Sequence, residues 1–306
     1  MHADPLSDML QLVKPRAYGF RGLDAGGAWS LRLPAQAVLR CYAVQAGGCG
    51  LWLGDAAAPI ALAAGDFLLV PHGEALVLGS ARDAPAIDLD GFFAMAAGAT
   101  ATIQGGGGCR GLGGYFALSG PGVGPLLAAL PRTVRLAAEP GGSGLFWLVE
   151  RLMAELRAPR PGGRLIADHL AQSLLVEALR LHLPAAAAAG RGGWLAALAD
   201  PPLARALGAI HAEPGRRWTV AALAAIAGLS RSAFAQRFAR ACGEAPIAYV
   251  ARWRMLLAAE RLAAGAPIAR LARELGYGSE SAFGVAFRRI CGGSPGRLRR
   301  DGAAGG

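Results

Sequence analysis

Residues 228–246 read GLSRSAFAQRFARACGEAP, and residues 277–295 read YGSESAFGVAFRRICGGSP. These are one pattern written twice. Sliding Ala221–Pro246 forward by 49 positions lays it on Arg270–Pro295 without a gap, and nine of the 26 aligned positions are identical. They are Ser230/Ser279, Ser232/Ser281, Ala233/Ala282, Phe234/Phe283, Phe238/Phe287, Arg240/Arg289, Cys242/Cys291, Gly243/Gly292 and Pro246/Pro295. A fixed-offset repeat marks a supersecondary unit used again. Two copies are too few for a solenoid, so the reading is a paired module.

Each copy reads as helix, tight turn, helix. In the first, Thr219 suits the N-cap of Val220–Ala227, Gly228 suits the left-handed residue that ends it, and Ser230 caps the next helix. Phe234, Phe238 and Ala241 recur at i, i+4 and i+7 and are expected to point inward. The opposite face then carries Ser232, Gln236, Ala239 and Arg240, with Ala235 on its flank and Arg231 at its start. The second copy repeats the geometry with Ile268–Leu275, a turn at Gly276–Gly278, and Ser279–Cys291. Its outer face is Ser281, Val285, Arg288 and Arg289. Between the copies, Ile247–Ala264 is an unbroken helical pattern of 18 residues, roughly 27 Å long. That approaches the roughly 34 Å between successive major-groove faces of one side of a DNA duplex. Small, polar, arginine-ended faces suit helices laid in those grooves.

The order Gly228-Leu229-Ser230-x-Ser232-x-Phe234-x-x-x-Phe238 resembles the first half of the AraC/XylS-type DNA-binding domain. Pro246-x-x-Tyr249 and Arg254-Met255 resemble its linker helix. Gly276-Tyr277-x-Ser279-x-Ser281-x-Phe283-x-x-x-Phe287-Arg288-Arg289 and Ser294-Pro295 resemble the second-half signature. The resemblance covers about a hundred residues and implies a transcription regulator that binds double-stranded DNA. Gln236 and Ser232 are then the expected base-edge readers, and Arg240, Arg288 and Arg289 the expected phosphate ligands.

Charge divides the chain in the same place. Its net charge is +10, with 16 arginines against seven acidic residues from Trp194 onward and 15 basic against 14 acidic residues before it. A near-neutral domain followed by a basic one is the electrostatic footprint of a nucleic-acid binder joined to something else. Met1–Leu12 is too polar for a signal peptide and no 18-residue apolar run occurs, so a cytoplasmic protein without membrane contact is expected. Five cysteines, an odd number, fit a reducing compartment better than a disulfide framework.

After a short lead-in helix (Asp4–Val13), residues 16–103 change to short apolar or alternating runs. These are Ala28–Leu33, Ala37–Ala46, Gly50–Gly54, Ile60–Ala63, Phe67–Pro71 and Ala75–Gly79, the spacing of a small antiparallel barrel or sandwich. Leu62-x-x-Gly65-Asp66-Phe67-Leu68-Leu69-Val70-Pro71-His72-Gly73 resembles the cupin barrel of one branch of AraC-type regulators. Asp4-Pro5-Leu6-Ser7-Asp8 and Gly113-Gly114-Tyr115-Phe116 resemble that branch as well. Leu145–Leu156 and Leu165–Leu183 form an amphipathic hairpin turned at Pro159–Gly163, to be buried on the barrel or on a second subunit. The expected architecture is α+β in two domains. Residues 1–183 form a cupin-like antiparallel β-barrel with a helical hairpin, 184–193 a linker, and 194–301 an all-α double helix-turn-helix. A disordered Gly/Ala tail is expected at the C-terminus.

The barrel raises the question of chemistry. Many cupins hold a metal through clustered histidines and a carboxylate. Here His72 and Glu74 stand alone, and Cys41-Tyr42 and Leu76 occupy the positions where further ligands would be sought, so no metal or other cofactor and no enzymatic activity are expected. Cys109 lies in Gly105–Gly114, expected as a glycine-rich loop, beside Arg110, whose charge would lower the thiol's pKa. Cys41, Cys49, Cys109 and His72 are therefore the candidate sensor residues, with oxidation of Cys109 against Cys41 or Cys49 as one signal and a small ligand as the other. Cys242 and Cys291 read as packing residues. The expected partners are operator DNA, an effector, RNA polymerase and a second copy of the chain. A cupin metalloenzyme fused to a DNA-binding domain, and a constitutive DNA-binding protein whose barrel only dimerises, are the alternatives.

Overall fold

A computed structural model describes residues 4–95, 99–137, 144–158, 160–189 and 193–304. In chain order, α1 (Pro5–Val13) leads into β1 (Arg16–Ala25), β2 (Ser30–Leu33), β3 (Leu39–Leu53), β4 (Ile60–Ala63), β5 (Phe67–Val70), β6 (Leu76–Gly79) and β7 (Ala86–Ile87). Then come α2 (Leu89–Met95), β8 (Thr100–Ile103), β9 (Cys109–Ala117), α3 (Val123–Ala129), β10 (Val134–Leu136), α4 (Gly144–Arg157) and α5 (Gly163–Ala188). The remainder is helical: α6 (Gly193–Leu198), α7 (Pro201–Ala212), α8 (Val220–Ala227), α9 (Arg231–Cys242), α10 (Pro246–Ala263), α11 (Ile268–Glu274), α12 (Glu280–Cys291) and α13 (Pro295–Ala304).

The chain divides into two compact units. One comprises Pro15–Leu118 and Leu130–His182; the other comprises Met1–Lys14, Ser119–Ala129 and Leu183–Gly306. The lead-in helix and α3 thus belong to the helical unit. The expected linker is helical through Ala188, while residues 190–192 lie outside the described residues. The expected disordered tail is helical to Ala304, with residues 305–306 outside the described residues.

In the first unit, the antiparallel barrel becomes a curled mixed sheet. Its strand order runs β7-β2-β6-β3-β9-β1-β8, with β4 and β5 on β3 and β10 on β5. Most pairs are antiparallel, but β1/β8 and β2/β7 are parallel, and the terminal strands β7 and β8 do not pair with each other. β3 is the spine. It was expected as two strands broken near Gly47-Gly48, but it runs through as one, bonded to β9 and β5 over its first half and to β4 and β6 over its second. The glycine-rich stretch Gly105–Gly114 is likewise a strand from Cys109 onward, where a loop was expected. Gly114 is needed there because the Phe20 ring lies over it: a Cβ would sit 2.5 Å from that ring. Tyr42, Val44, Leu51, Leu68, Val70, Leu78 and Phe92 fill the core. Asp66 turns the chain into β5, accepting from Ala63 N–H at 2.9 Å and pairing with Arg135 at 2.8 Å.

In the helical unit, both copies form as the repeat requires. Thr219 Oγ1 caps α8 at Ala222 N (3.1 Å), Gly228 ends it at φ 71°, and Ser230 Oγ caps α9 at Ala233 N (3.3 Å). Ser279 Oγ caps α12 in the same way at 3.1 Å. Phe234, Phe238, Phe283 and Phe287 are buried as expected, whereas Ala241 is half-buried and Cys242 takes the buried position. α10 serves both copies: Tyr249 packs on Phe238, while Met255, Ala258 and Leu262 join Leu271, Leu275, Phe283 and Phe287 in a second core.

His211 on α7 ties this unit together. Its ring stacks on Trp253 at 3.9 Å, with Nδ1 3.0 Å from the Asp8 carboxylate of α1 and Nε2 2.8 Å from the Tyr249 hydroxyl. A neutral imidazole with its proton on Nδ1 satisfies both contacts, donating to Asp8 and accepting from Tyr249. Burial holds the imidazole's pKa below its ordinary value, aided by Arg252 and opposed by Asp8 and Asp4. The unfolded chain takes up its proton near pH 6.5. The stabilisation from the neutral ring is therefore complete above that pH and is lost as pH falls toward the depressed folded value. The unfolding free energy of the helical unit, and with it the urea midpoint, is expected to drop between about pH 7.5 and pH 5.5, the free energy by up to about 1.4 kcal/mol per pH unit from this proton. His211→Gln should flatten that dependence; a midpoint that stays level or rises on acidification would contradict it.

Candidate nucleic-acid interface

α9 and α12 present the expected faces to solvent. Arg231, Ser232, Gln236, Ala239 and Arg240 are exposed on α9, with Ala235 half-buried at the edge. Ser281, Val285, Arg288 and Arg289 are exposed on α12, and Val285 is 57% exposed, unusual for so apolar a side chain. Ser232 Oγ lies 3.4 Å from Ser230 Oγ, which steadies it at the start of the helix.

Two groups stand out among the arginines of this unit. Several hold the scaffold. Arg205 bonds the last carbonyls of α8, those of Ile226 (3.2 Å) and Ala227 (2.8 Å). Arg254 bonds the carbonyls of Pro214 (2.6 Å) and Arg216 (2.8 Å) and lies over the Tyr277 ring. Arg237, although on α9, pairs with Asp200 at 2.6 Å; Arg252 pairs with Glu244, and Arg261 and Arg270 share Glu274. Among the described residues, Arg231, Arg240, Arg288 and Arg289 form no ion pair. These four lie on the recognition faces, where unneutralised guanidinium groups suit phosphate oxygens. The pairing depends on contacts as distant as Arg237 and Asp200, 37 positions apart, and is not visible in the repeat.

The sensor candidates separate. Cys109 and Cys49 both line one apolar cavity of the sheet, near enough for each thiol to shift the other's pKa. The Cys49 side chain lowers the Cys109 pKa against the opposing influence of burial and Asp24, and Cys109 together with burial raises that of Cys49. Arg110, the expected cause, is exposed and is not what lowers it. Cys41 lies elsewhere, fully buried against the Gly114 backbone, and burial pushes its thiol pKa up. His72 contacts the backbone carbonyl of Leu130 at 3.3 Å, and the Glu74 carboxylate is held by Arg132 at 2.8 and 2.9 Å. Cys242 is a packing residue, its thiol pushed up to about 12 by burial. Arg40, buried in β3 with its terminal nitrogens donating to the carbonyls of Glu74 and Pro34, is a charge the sequence reading did not mark. The signal was present: an arginine between Leu39 and Cys41, in a strand otherwise apolar at that point.

Residues 4–184 match a cupin family and residues 223–301 a helix-turn-helix domain family. A Streptomyces lividans protein described as an AraC-like transcription regulator is 40% identical over 299 residues, covering 97% of this chain and 98% of its own. The HTH-type transcriptional regulator AlkR of Acinetobacter baylyi is 32% identical over 315 residues, covering 97% and 99%. The DNA-binding domain of the global transcriptional factor AdpA, solved in complex with a target DNA, is 31% identical over 34% of this chain and 95% of that one, with a TM-score of 0.31. No helix among the described residues is long and apolar enough to cross a membrane. The chain belongs to the AraC-like transcription regulators, DNA-binding proteins that here join a cupin-like domain to a double helix-turn-helix.

Proposed function

We propose that α9 reads base edges in one major groove while α12 seats the protein in the next, and that the interior of the curled sheet controls this binding. Gln236 is the principal reader, because its amide can bond adenine N6 and N7 together. Arg240, Arg288 and Arg289 hold phosphates, and Val285 lies against a thymine methyl group, so α12 adds more affinity than specificity. The observation that carries this reading is that the outer faces of α9 and α12 carry exposed arginines, Arg240, Arg288 and Arg289, that form no ion pair among the described residues. Gln236→Ala is expected to cost about 1–3 kcal/mol at one base position and little at the others. Binding to mutated operator sites checks this; an equal loss on every sequence would remove Gln236 from the readers.

Control through the sheet is supported by the paired thiols facing its cavity. In the reducing cytoplasm both are thiols. A peroxide would oxidise Cys109 to a sulfenic acid, and the Cys49 sulfur would displace its oxygen as water. Overall, two thiols and one hydrogen peroxide give one disulfide and two waters. DNA affinity is expected to change reversibly on mild peroxide treatment and to become insensitive in Cys109→Ser and in Cys49→Ser. An oxidised wild type with unchanged affinity, or a response that survives both substitutions, would retire the thiol pair. Assembly as two copies is supported by the exposed apolar side chains Trp147, Leu165 and Ile166 on α4 and α5; RNA polymerase is the further partner of a regulator that activates.

A further inference from the structure

The first helix of the chain belongs to the helical unit. α1 packs on α3, α7 and α10, with Met9 and Val13 fully buried. The stretch Asp4-Pro5-Leu6-Ser7-Asp8 supplies two acids one helical turn apart, and they meet different partners. Asp4 caps the helix, its carboxylate accepting from the N–H groups of Leu6 (3.1 Å) and Ser7 (3.3 Å). Asp8 reaches His211 on α7, its Oδ2 lying 3.0 Å from Nδ1 of a fully buried side chain. At the other end of α1, Lys14 pairs with Glu260 of α10 at 2.6 Å.

From Asp8 the contacts run without interruption to the first recognition helix. His211 Nε2 lies 2.8 Å from the Tyr249 hydroxyl, and the Tyr249 ring stands edge-on to Phe238 at 5.7 Å. Phe238 is buried on α9, two positions after the exposed Gln236. The order of donors along this line depends on Asp8. A carboxylate only accepts, so it holds the imidazole proton on Nδ1 and leaves Nε2 to accept from Tyr249 O–H. Without it the proton has no partner at Nδ1 and moves to Nε2, and Tyr249 must turn from donor to acceptor. The Trp253 ring stacked on His211 at 3.9 Å holds the imidazole plane, so the change falls on Tyr249. A base-reading contact tolerates only about 0.5 Å and 10–20° of displacement. The seat of Phe238 against Tyr249 therefore bears on where Gln236 points.

We infer that Asp8 is a positioning residue for DNA recognition, fixing the seat of α9 through His211 and Tyr249 and with it the aim of Gln236. This rests on the reading of α9 as the base-reading helix. It extends the recognition machinery to the first helix of the chain, far outside residues 223–301, which match the helix-turn-helix family.

The test uses the full chain with its five histidines isotopically labelled. Long-range proton–nitrogen spectra near neutral pH report which ring nitrogen carries the proton, and His211→Gln identifies the signal. The wild type should show His211 protonated on Nδ1; a proton on Nε2 would overturn the inference before any Asp8 variant is made. Asp8→Ala should move the proton to Nε2 and weaken operator binding about tenfold, with discrimination lost at the base pair that Gln236 reads. Asp8→Asn, whose amide oxygen can still accept from Nδ1–H, should stay within about threefold of the wild type. Neither should change the salt slope, because Asp8 meets no phosphate. Lys14→Ala breaks the other anchor of α1 and should leave affinity within about twofold. Each titration is run well below the melting temperature of its variant, so that unfolding does not enter. An unchanged tautomer or unchanged affinity in Asp8→Ala would overturn the inference. So would an equal loss in Lys14→Ala, which would make α1 a brace and nothing more. If Gln236→Ala weakens every sequence equally while Asp8→Ala still changes both tautomer and affinity, the base-reading assignment fails and Asp8 keeps its positioning role.

Discussion

Phe238→Ala is expected to remove about 3–5 kcal/mol from the helical unit and to abolish DNA binding with it. Phe238 is fully buried, its ring 5.5 Å from Phe234 and 5.7 Å from Tyr249. Tyr249 bonds His211, which stacks on Trp253 and bonds Asp8, so the ring supports a chain of contacts reaching from α9 to α1. Truncating it leaves a cavity at the junction that fixes α9 against α10. A typical domain is stable by only about 5–15 kcal/mol, so this single loss takes much of the margin. The curled sheet has its own core and shares none of these side chains. Urea unfolding should therefore show the helical transition moving to much lower denaturant while the sheet transition stays in place. A single transition that shifts by less than about 1 kcal/mol would mean that Phe238 is not part of the core that positions α9.

The helical unit was legible because its repeat fixes everything local at once. Ser230 and Ser279 cap, Gly228 and Gly276 take positive φ, and the four phenylalanines set the buried face. The sheet was harder to read. Gly111 and Gly114 look like a loop in sequence, yet they lie in a central strand, where the Ala43 carbonyl and the Phe20 ring occupy the space their side chains would need. Gly47, at φ 70°, looks like a break in β3 but bends it without ending it. Parallel pairing of β1 with β8 joins residues some 80 positions apart, which alternation along either strand cannot announce.

The candidate site divides along the same line. Gln236, Arg288 and Arg289 could be placed from helical periodicity alone. Which arginines keep their charge for DNA depends on ion pairs between elements, such as Arg237 with Asp200. That Cys109 meets Cys49 and not Cys41 depends on the faces of β3, and the Asp8–His211 contact spans 203 positions.

Arg288→Ala combined with Arg289→Ala should lower affinity on the order of a hundredfold and reduce the salt slope by about two, with little change in sequence preference. The same pair of proteins tests the central claim, that one chain lays two helices in successive major grooves on one face of the duplex. The measurement is a hydroxyl-radical footprint on an operator selected by the full-length protein, for the wild type and the double variant. Two protected windows about one helical turn, roughly 10 base pairs, apart on one face are expected for the wild type. The window assigned to α12 should fade first in the variant. A single window, or two windows on opposite faces of the duplex, would contradict it.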